Sequence, residues 1–241
     1  MTDMYRPIVV VHESAAAASE IIRNQLIQFR KSDITARPWD FAELHNPWSR
    51  AAQNFDSWAI LDICQNKDLI MRVREVIGPD IILYDTRLIP EPCDHSYADW
   101  HCDAMCFPVT RRRGLTVILP LNIHNAGLLT FKATADEKQE SIPLKTGIYI
   151  LMDAHQKYKI SDVDKDSVSD FLIIRYFPAT SRYLRDPACA EHQLLMERWP
   201  LLNYANAPLW LVAGKDPGHN NFVTGLNVKA GRWTPNPDYS V

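Results

Sequence analysis

From Ile81 onward the chain is a succession of strand-like segments with no helical pattern between them. That order limits its folding more than any other feature. Ile81–Ile89, Gly114–Ile123, Gly127–Thr134, Gly147–Asp153 and Phe171–Phe177 are rich in Ile, Leu, Val, Tyr and Phe. Gly, Pro, Asn and Asp separate them, as expected of turns. Parallel strands need long crossover connections, usually helices. Helices that come first, with strands following unbroken, argue for an antiparallel barrel or sandwich with a helical flank.

The flank reads as two helices. Glu13–Lys31 carries Ile21, Ile22, Leu26, Ile27 and Phe29 at mostly helical spacing. Asn66–Ile77 places Leu69, Ile70, Val73, Val76 and Ile77 on one face and stops at Gly78-Pro79. Between them, from Ala36 to Asp62, the pattern breaks, and Trp39, Phe41, Trp48, Phe55 and Trp58 crowd an irregular stretch. Trp39, Trp48 and Trp58 pack the flank or form a lid over a substrate. Ala190–Arg198 is one further helix before a tail rich in Pro, Gly and Asn. The 241 residues suit a single domain: a helical flank over 1–80, a barrel core over 81–180 and an extension over 181–241.

Composition excludes several classes. With 26 basic against 29 acidic residues, the net charge of −3 gives no basic footprint for nucleic acid, the local run Arg111–Arg113 aside. No apolar run approaches the roughly 18 residues that span a bilayer. The first residues do not read as a signal peptide. Five scattered cysteines in a chain too large to need staples read as reduced thiols, which points to a cytoplasmic setting. Cys102 and Cys106 lack a second pair at zinc-finger spacing.

The chemistry is concentrated where the strands begin. Trp100-His101-Cys102-Asp103 puts an imidazole and a carboxylate two residues apart, hence on one face of an extended chain. His155, just past the apolar run Gly147–Asp153, is the natural third ligand. Two histidines and one carboxylate leave open coordination positions, as in non-haem iron(II) oxygenases. The plainer alternative is a common surface pattern, with His155 ending a strand.

The surroundings extend the pattern. A helix ending in Gly78-Pro79-Asp80, the strand Leu83-Tyr84-Asp85 and Trp100-His101-Cys102-Asp103 come in that order. Asn125-Ala126-Gly127-Leu128, Pro143–Gly147 before the apolar strand to His155, and Phe171–Tyr176 follow. From Asn66 to Phe177 this order resembles the phytanoyl-CoA dioxygenase-like family of iron(II)/2-oxoglutarate oxygenases. The resemblance implies a double-stranded β-helix (jelly-roll, cupin-like) barrel, with His101, Asp103 and His155 as iron ligands. His124 is next in line should His155 fail. It also implies 2-oxoglutarate as co-substrate, with O2 and a small-molecule substrate. Halogenating relatives lack the carboxylate, so Asp103 implies hydroxylation or another oxidation.

One departure concerns the co-substrate. The family has an arginine roughly a dozen residues after the distal histidine, pairing with the far carboxylate of 2-oxoglutarate as a bidentate fork. Here that place reads Ser169-Asp170-Phe171. The candidates are Arg175, which period-two alternation puts on one face with Phe171 and Ile173, Arg87 with Tyr84 and Thr86 beside it, and Lys165. The missing arginine keeps open a cupin-like metalloenzyme working without 2-oxoglutarate. A non-catalytic barrel is the other alternative. Substrate identity and oligomeric state are not legible in the sequence.

Overall fold

A computed structural model describes residues 9–32, 34–90, 97, 99–110, 113–123, 127–132, 138–161, 169–198, 204–222, 226–227 and 232–233. Two antiparallel sheets form its centre. The larger runs in the order β1 (Val9–His12), β6 (Tyr149–Asp153), β3 (Leu115–Ile123), β8 (Ser169–Pro178), β2 (Ile81–Ile89) and β9 (Trp210–Ala213). The smaller is β5 (Gln139–Pro143), β4 (Leu128–Lys132) and β7 (Tyr158–Ser161). Every neighbouring strand pair in the two is antiparallel, as expected where no helices cross over. His101, outside both sheets, pairs with Tyr158 of β7 at the edge of the smaller sheet through an isolated bridge.

Alternation along the strands divides the side chains between two cores. Leu115, Val117, Leu119 and Leu121 of β3 and Leu172, Ile174 and Tyr176 of β8 face the helices. Their opposite-face neighbours, Ile118, Phe171 and Ile173, meet Leu129, Phe131, Tyr158 and Ile160 of the smaller sheet. This second cluster fills the space between the sheets.

The helical flank covers the outer face. α1 (Ala16–Lys31) buries Ile22, Leu26 and Phe29, and its Ser19 hydroxyl donates to the Pro120 carbonyl at 3.2 Å. α3 (Lys67–Ile77) is capped by the Asn66 side chain, which accepts from the amides of Asp68 and Leu69. It stops at Gly78, whose φ of +96° suits a residue without Cβ. The expected irregular stretch contains a helix, α2 (Ser57–Cys64), capped by Asp56. α4 (Ala190–Arg198) lies where the sequence places it.

β2 carries the irregularity that shapes the interior. Its pairing with β8 slips by one residue between Leu83 and Asp85, so alternation changes phase there. Leu83 faces the helices before the slip and Leu88 faces them after it. Asp85, Arg87 and Ile89 therefore take the same side as Arg175, Ile173 and Phe171, their register partners on β8.

Candidate functional site

Arg175 is the hub of the interior. It pairs in register with Asp85 on one side and Thr116 on the other. Its Nη1 donates to Asp85 Oδ2 at 2.7 Å, and its Nη2 to Asp103 Oδ1 at 2.8 Å and to the Tyr97 hydroxyl at 3.1 Å. Asp103 opens a short 3-10 helix, Asp103–Cys106, that carries it in from His101. Its Oδ2 accepts from Thr116 Oγ1 at 2.7 Å and from the Tyr158 hydroxyl at 3.1 Å. Arg87, 4% exposed, brings Nη2 to 3.7 Å from Asp85 Oδ2.

The electrostatics follow from this crowding. Burial alone would raise the Asp103 carboxyl. The Arg175 guanidinium, then His101 and the hydrogen bonds from Thr116 and Arg175, outweigh burial and hold it below the usual range. Burial, followed by the charge of Asp103, pushes the Tyr158 phenol well up, so it stays protonated and donates. Burial would weaken Arg175 as a cation, but Asp103, Tyr97 and Asp85 together drive its pKa well above normal. Two carboxylates and two guanidiniums thus balance one another in the interior.

His101 is beside this network. Its Nδ1–H donates to the Asp99 carbonyl at 2.8 Å, which makes Nε2 the basic nitrogen of the ring. His101 and Tyr158 exchange both backbone hydrogen bonds, and their rings are 4.2 Å apart. The Tyr97 ring meets the imidazole edge-on at 4.9 Å.

The remaining candidates are placed elsewhere. His155 lies in the turn after β6, its side chain 47% exposed and its Nδ1 3.2 Å from Asp153 Oδ1. Tyr84 is buried against Phe107 and Tyr183 in a third cluster. Trp48 and Trp58 gather around Trp210 of β9 on the helical flank, the packing alternative. Lys165, His124, Arg111 and Arg112 lie outside the described residues.

An iron ion asks for three convergent donors with unengaged lone pairs. Here His101 and Asp103 come together, His155 does not join them, and both oxygens of Asp103 already accept protein hydrogen bonds. Among the described residues no group of three or more His, Cys, Asp or Glu side chains is gathered to hold a metal. As arranged, these residues do not fit the ion. Arg175, expected near the far end of a co-substrate, lies instead against the expected metal ligand. The residue that sequence reasoning missed is Tyr158. Its signal was faint: Tyr158 and Ile160 alternate with Lys159 over only four residues of β7.

Comparison with solved structures decides the architecture. The chain is similar to CytC3 with Fe(II) and alpha-ketoglutarate, at 14% identity, covering 97% of this chain and 94% of that one with a TM-score of 0.61. The chain shares the fold of that structure. It is also similar to the non-haem monooxygenase ThoJ in its nickel complex, at 15% identity, 90% and 83% coverage and a TM-score of 0.59. The alpha-ketoglutarate-dependent epimerase SnoN from nogalamycin biosynthesis follows at 16%, 74% and 81%, and 0.53. No family model and no curated protein matches the sequence. No helix among the described residues is long and apolar enough to cross a membrane.

Proposed function

We propose that the protein oxidises a small molecule as an iron(II)/2-oxoglutarate-dependent oxygenase. The observation that carries this reading is the delivery of His101 and Asp103, an imidazole and a carboxylate from one short segment, to the same interior site. They do so in a fold shared with CytC3 bound to Fe(II) and alpha-ketoglutarate and with the alpha-ketoglutarate-dependent epimerase SnoN. Iron(II) with 2-oxoglutarate and O2 supplies an oxidant at the cost of decarboxylating the co-substrate to succinate. This chain's share is to hold and orient what binds. His101 offers a fixed tautomer, and the apolar lining of Ile118, Ile150, Met152 and Ile173 keeps water out.

Arg87 is the better partner for a distal carboxylate than Arg175. It stands two residues further along β2 from Asp85, a step of roughly 7 Å, and the phase change in β2 turns it inward. Hydroxylation is the expected outcome, since Asp103 retains the carboxylate. The test is succinate formation by purified protein given Fe(II), 2-oxoglutarate and O2. Succinate that disappears in His101→Ala supports the reading, and its absence from the wild-type protein overturns it.

One observation favours a second reading. Both oxygens of Asp103 accept hydrogen bonds, from Arg175, Thr116 and Tyr158, and the buried charges balance without any metal. A barrel that binds its small molecule without metal or oxidation would look like this. Wild-type protein that binds no divalent ion and forms no succinate would favour it.

A further inference from the structure

The backbone beside Arg87 is strained. Ala42 pairs with Arg87 through an isolated bridge. The next residue, Glu43, has a φ of +54°, one of two non-glycine residues with positive φ among the described residues. An L residue is held there only when its surroundings fix it, and such residues gather at functional sites. Here the surroundings are specific. The Asn46 amide donates to the Glu43 carbonyl at 2.9 Å, and Asn46 Oδ1 accepts from the Trp48 amide at 3.0 Å. That orientation turns Nδ2 towards Glu43 Oε2 at 3.4 Å, so a neutral donor holds one carboxyl oxygen in place.

Asp85 and Arg87 of β2 are the charged groups that act on Glu43. Behind them, Asp85 Oδ2 takes Arg175 Nη1 at 2.7 Å and Arg87 Nη2 at 3.7 Å, and Arg175 reaches on to Asp103. His45, on the same segment as Glu43, is kept neutral down to about pH 4 by burial. With both guanidiniums and both aspartates ionised, the interior is neutral only while Glu43 carries its proton. Burial, then Asp85, raises the Glu43 carboxyl from 4.5 to about 7, against the weaker pulls of Asn46 and Arg87. A carboxylate arriving at Arg87 brings one more negative charge beside Asp85.

We infer that Glu43 is a specificity-determining residue of the interior: a ligand carboxylate seats on Arg87 only while Glu43 is a neutral acid, so that ligand and proton bind together. This rests on the reading of Arg87 as the partner of a ligand carboxylate, and it calls on no metal. The proton comes from solvent, which reaches the partly exposed Glu43, and no bond of the ligand changes. The coupling is reciprocal: the bound anion makes Glu43 harder to ionise, and the proton strengthens the anion's binding by the same factor.

The test is titration calorimetry with glutarate in metal-free buffers of different ionisation enthalpy, which reads affinity and proton uptake together. Wild type should take up close to no proton per glutarate at about pH 6 and approach one at about pH 8, its affinity falling by up to about tenfold per pH unit above the onset. Glu43→Gln, which keeps a neutral side chain, should lose the uptake and hold its affinity level across that range. Should Glu43→Gln fail to fold, Asn46→Ala answers instead. It removes a donor that favours the ionised form, so the onset of uptake should move to higher pH, and an unmoved onset overturns the inference. Arg87→Met should weaken glutarate binding about thirtyfold or more.

Glutarate bound at about pH 8 without proton uptake overturns the role of Glu43 and leaves Arg87 in place. Uptake that persists in Glu43→Gln does the same, because the proton then belongs to another group. If glutarate does not bind the wild type, or binds Arg87→Met equally well, the reading of Arg87 falls and this inference with it. Succinate formation tests the oxygenase reading separately, whatever the proton count.

Discussion

Tyr158 pairs with His101 through an isolated β-bridge that brings their rings to 4.2 Å. Its hydroxyl is spent on Asp103 at 3.1 Å. A buried hydrogen bond to a charged acceptor is worth roughly 1.5–3 kcal/mol. Tyr158→Phe should therefore lower unfolding stability by about 2 kcal/mol, read from the urea midpoint. An unchanged midpoint would mean that Thr116 and Arg175 satisfy the carboxylate by themselves.

His155 offers the contrast. Its side chain is half in solvent, with Nδ1 3.2 Å from Asp153 Oδ1. His155→Ala should shift stability by less than about 0.5 kcal/mol, and it should leave Mn(II) affinity within about threefold of wild type, a change of under 1 kcal/mol. A loss of Mn(II) binding as large as that in His101→Ala would show that His155 swings inward, and the sequence-based triad would be restored.

Acid and base act against each other near β2. Burial lowers the His45 imidazole from 6.5 to about 4, with its Nδ1 2.9 Å from Thr86 Oγ1. Below pH 6.5 the unfolded chain takes up that proton and the folded one does not, so this contribution is lost as pH falls from 6.5 towards 4. Glu43, on a strained backbone with φ of +54°, is raised by burial and then by Asp85, from 4.5 to about 7. It stays protonated in the fold, so its contribution is lost as pH rises from 4.5 to 7. The two slopes cancel between pH 4.5 and 6.5. Glu43→Gln should expose the acid loss, and His45→Asn the alkaline one, each up to about 3 kcal/mol across its window. Stability curves of the two variants with the same slope would refute the cancellation.

The flank is clipped to the sheet by one bidentate pair. Arg30 of α1 meets both oxygens of Asp170 on β8 at 2.7 and 2.8 Å, with Asp170 only 1% exposed. Arg30→Met should cost about 2 kcal/mol, less than a fully buried pair because Arg30 is 36% exposed. Recovery in the double variant Arg30→Met/Asp170→Asn would confirm that the loss is the uncompensated carboxylate. No recovery would assign it to the arginine's packing.

The long periodic elements were legible in the sequence, as were the strands β2, β3, β6 and β8. α3 and its stop at Gly78 follow directly from spacing and chirality. α2 was hidden because Trp58, Ala59, Ile60, Leu61 and Ile63 are apolar all round, which leaves no helical face to detect. β5 and β7 span five and four residues, too few for alternation to stand out. At the site, period two gave the inward face of Arg175 but not its partners. Asp85 turns inward through a register slip, and Asp103 arrives on a 3-10 turn; neither carries a local pattern.

The slip in β2 decides which charges the interior holds. Were the strand to alternate strictly from Leu83 through all its residues, Asp85 and Arg87 would point towards the helices and Leu88 into the polar interior. Two buried charges would meet the apolar face of the flank, and Arg175 would lose the nearer of its carboxylates. The polarity of the interior therefore depends on one extra residue in a single strand, and a change that smoothed the slip without shortening the strand would be more damaging than most substitutions along it.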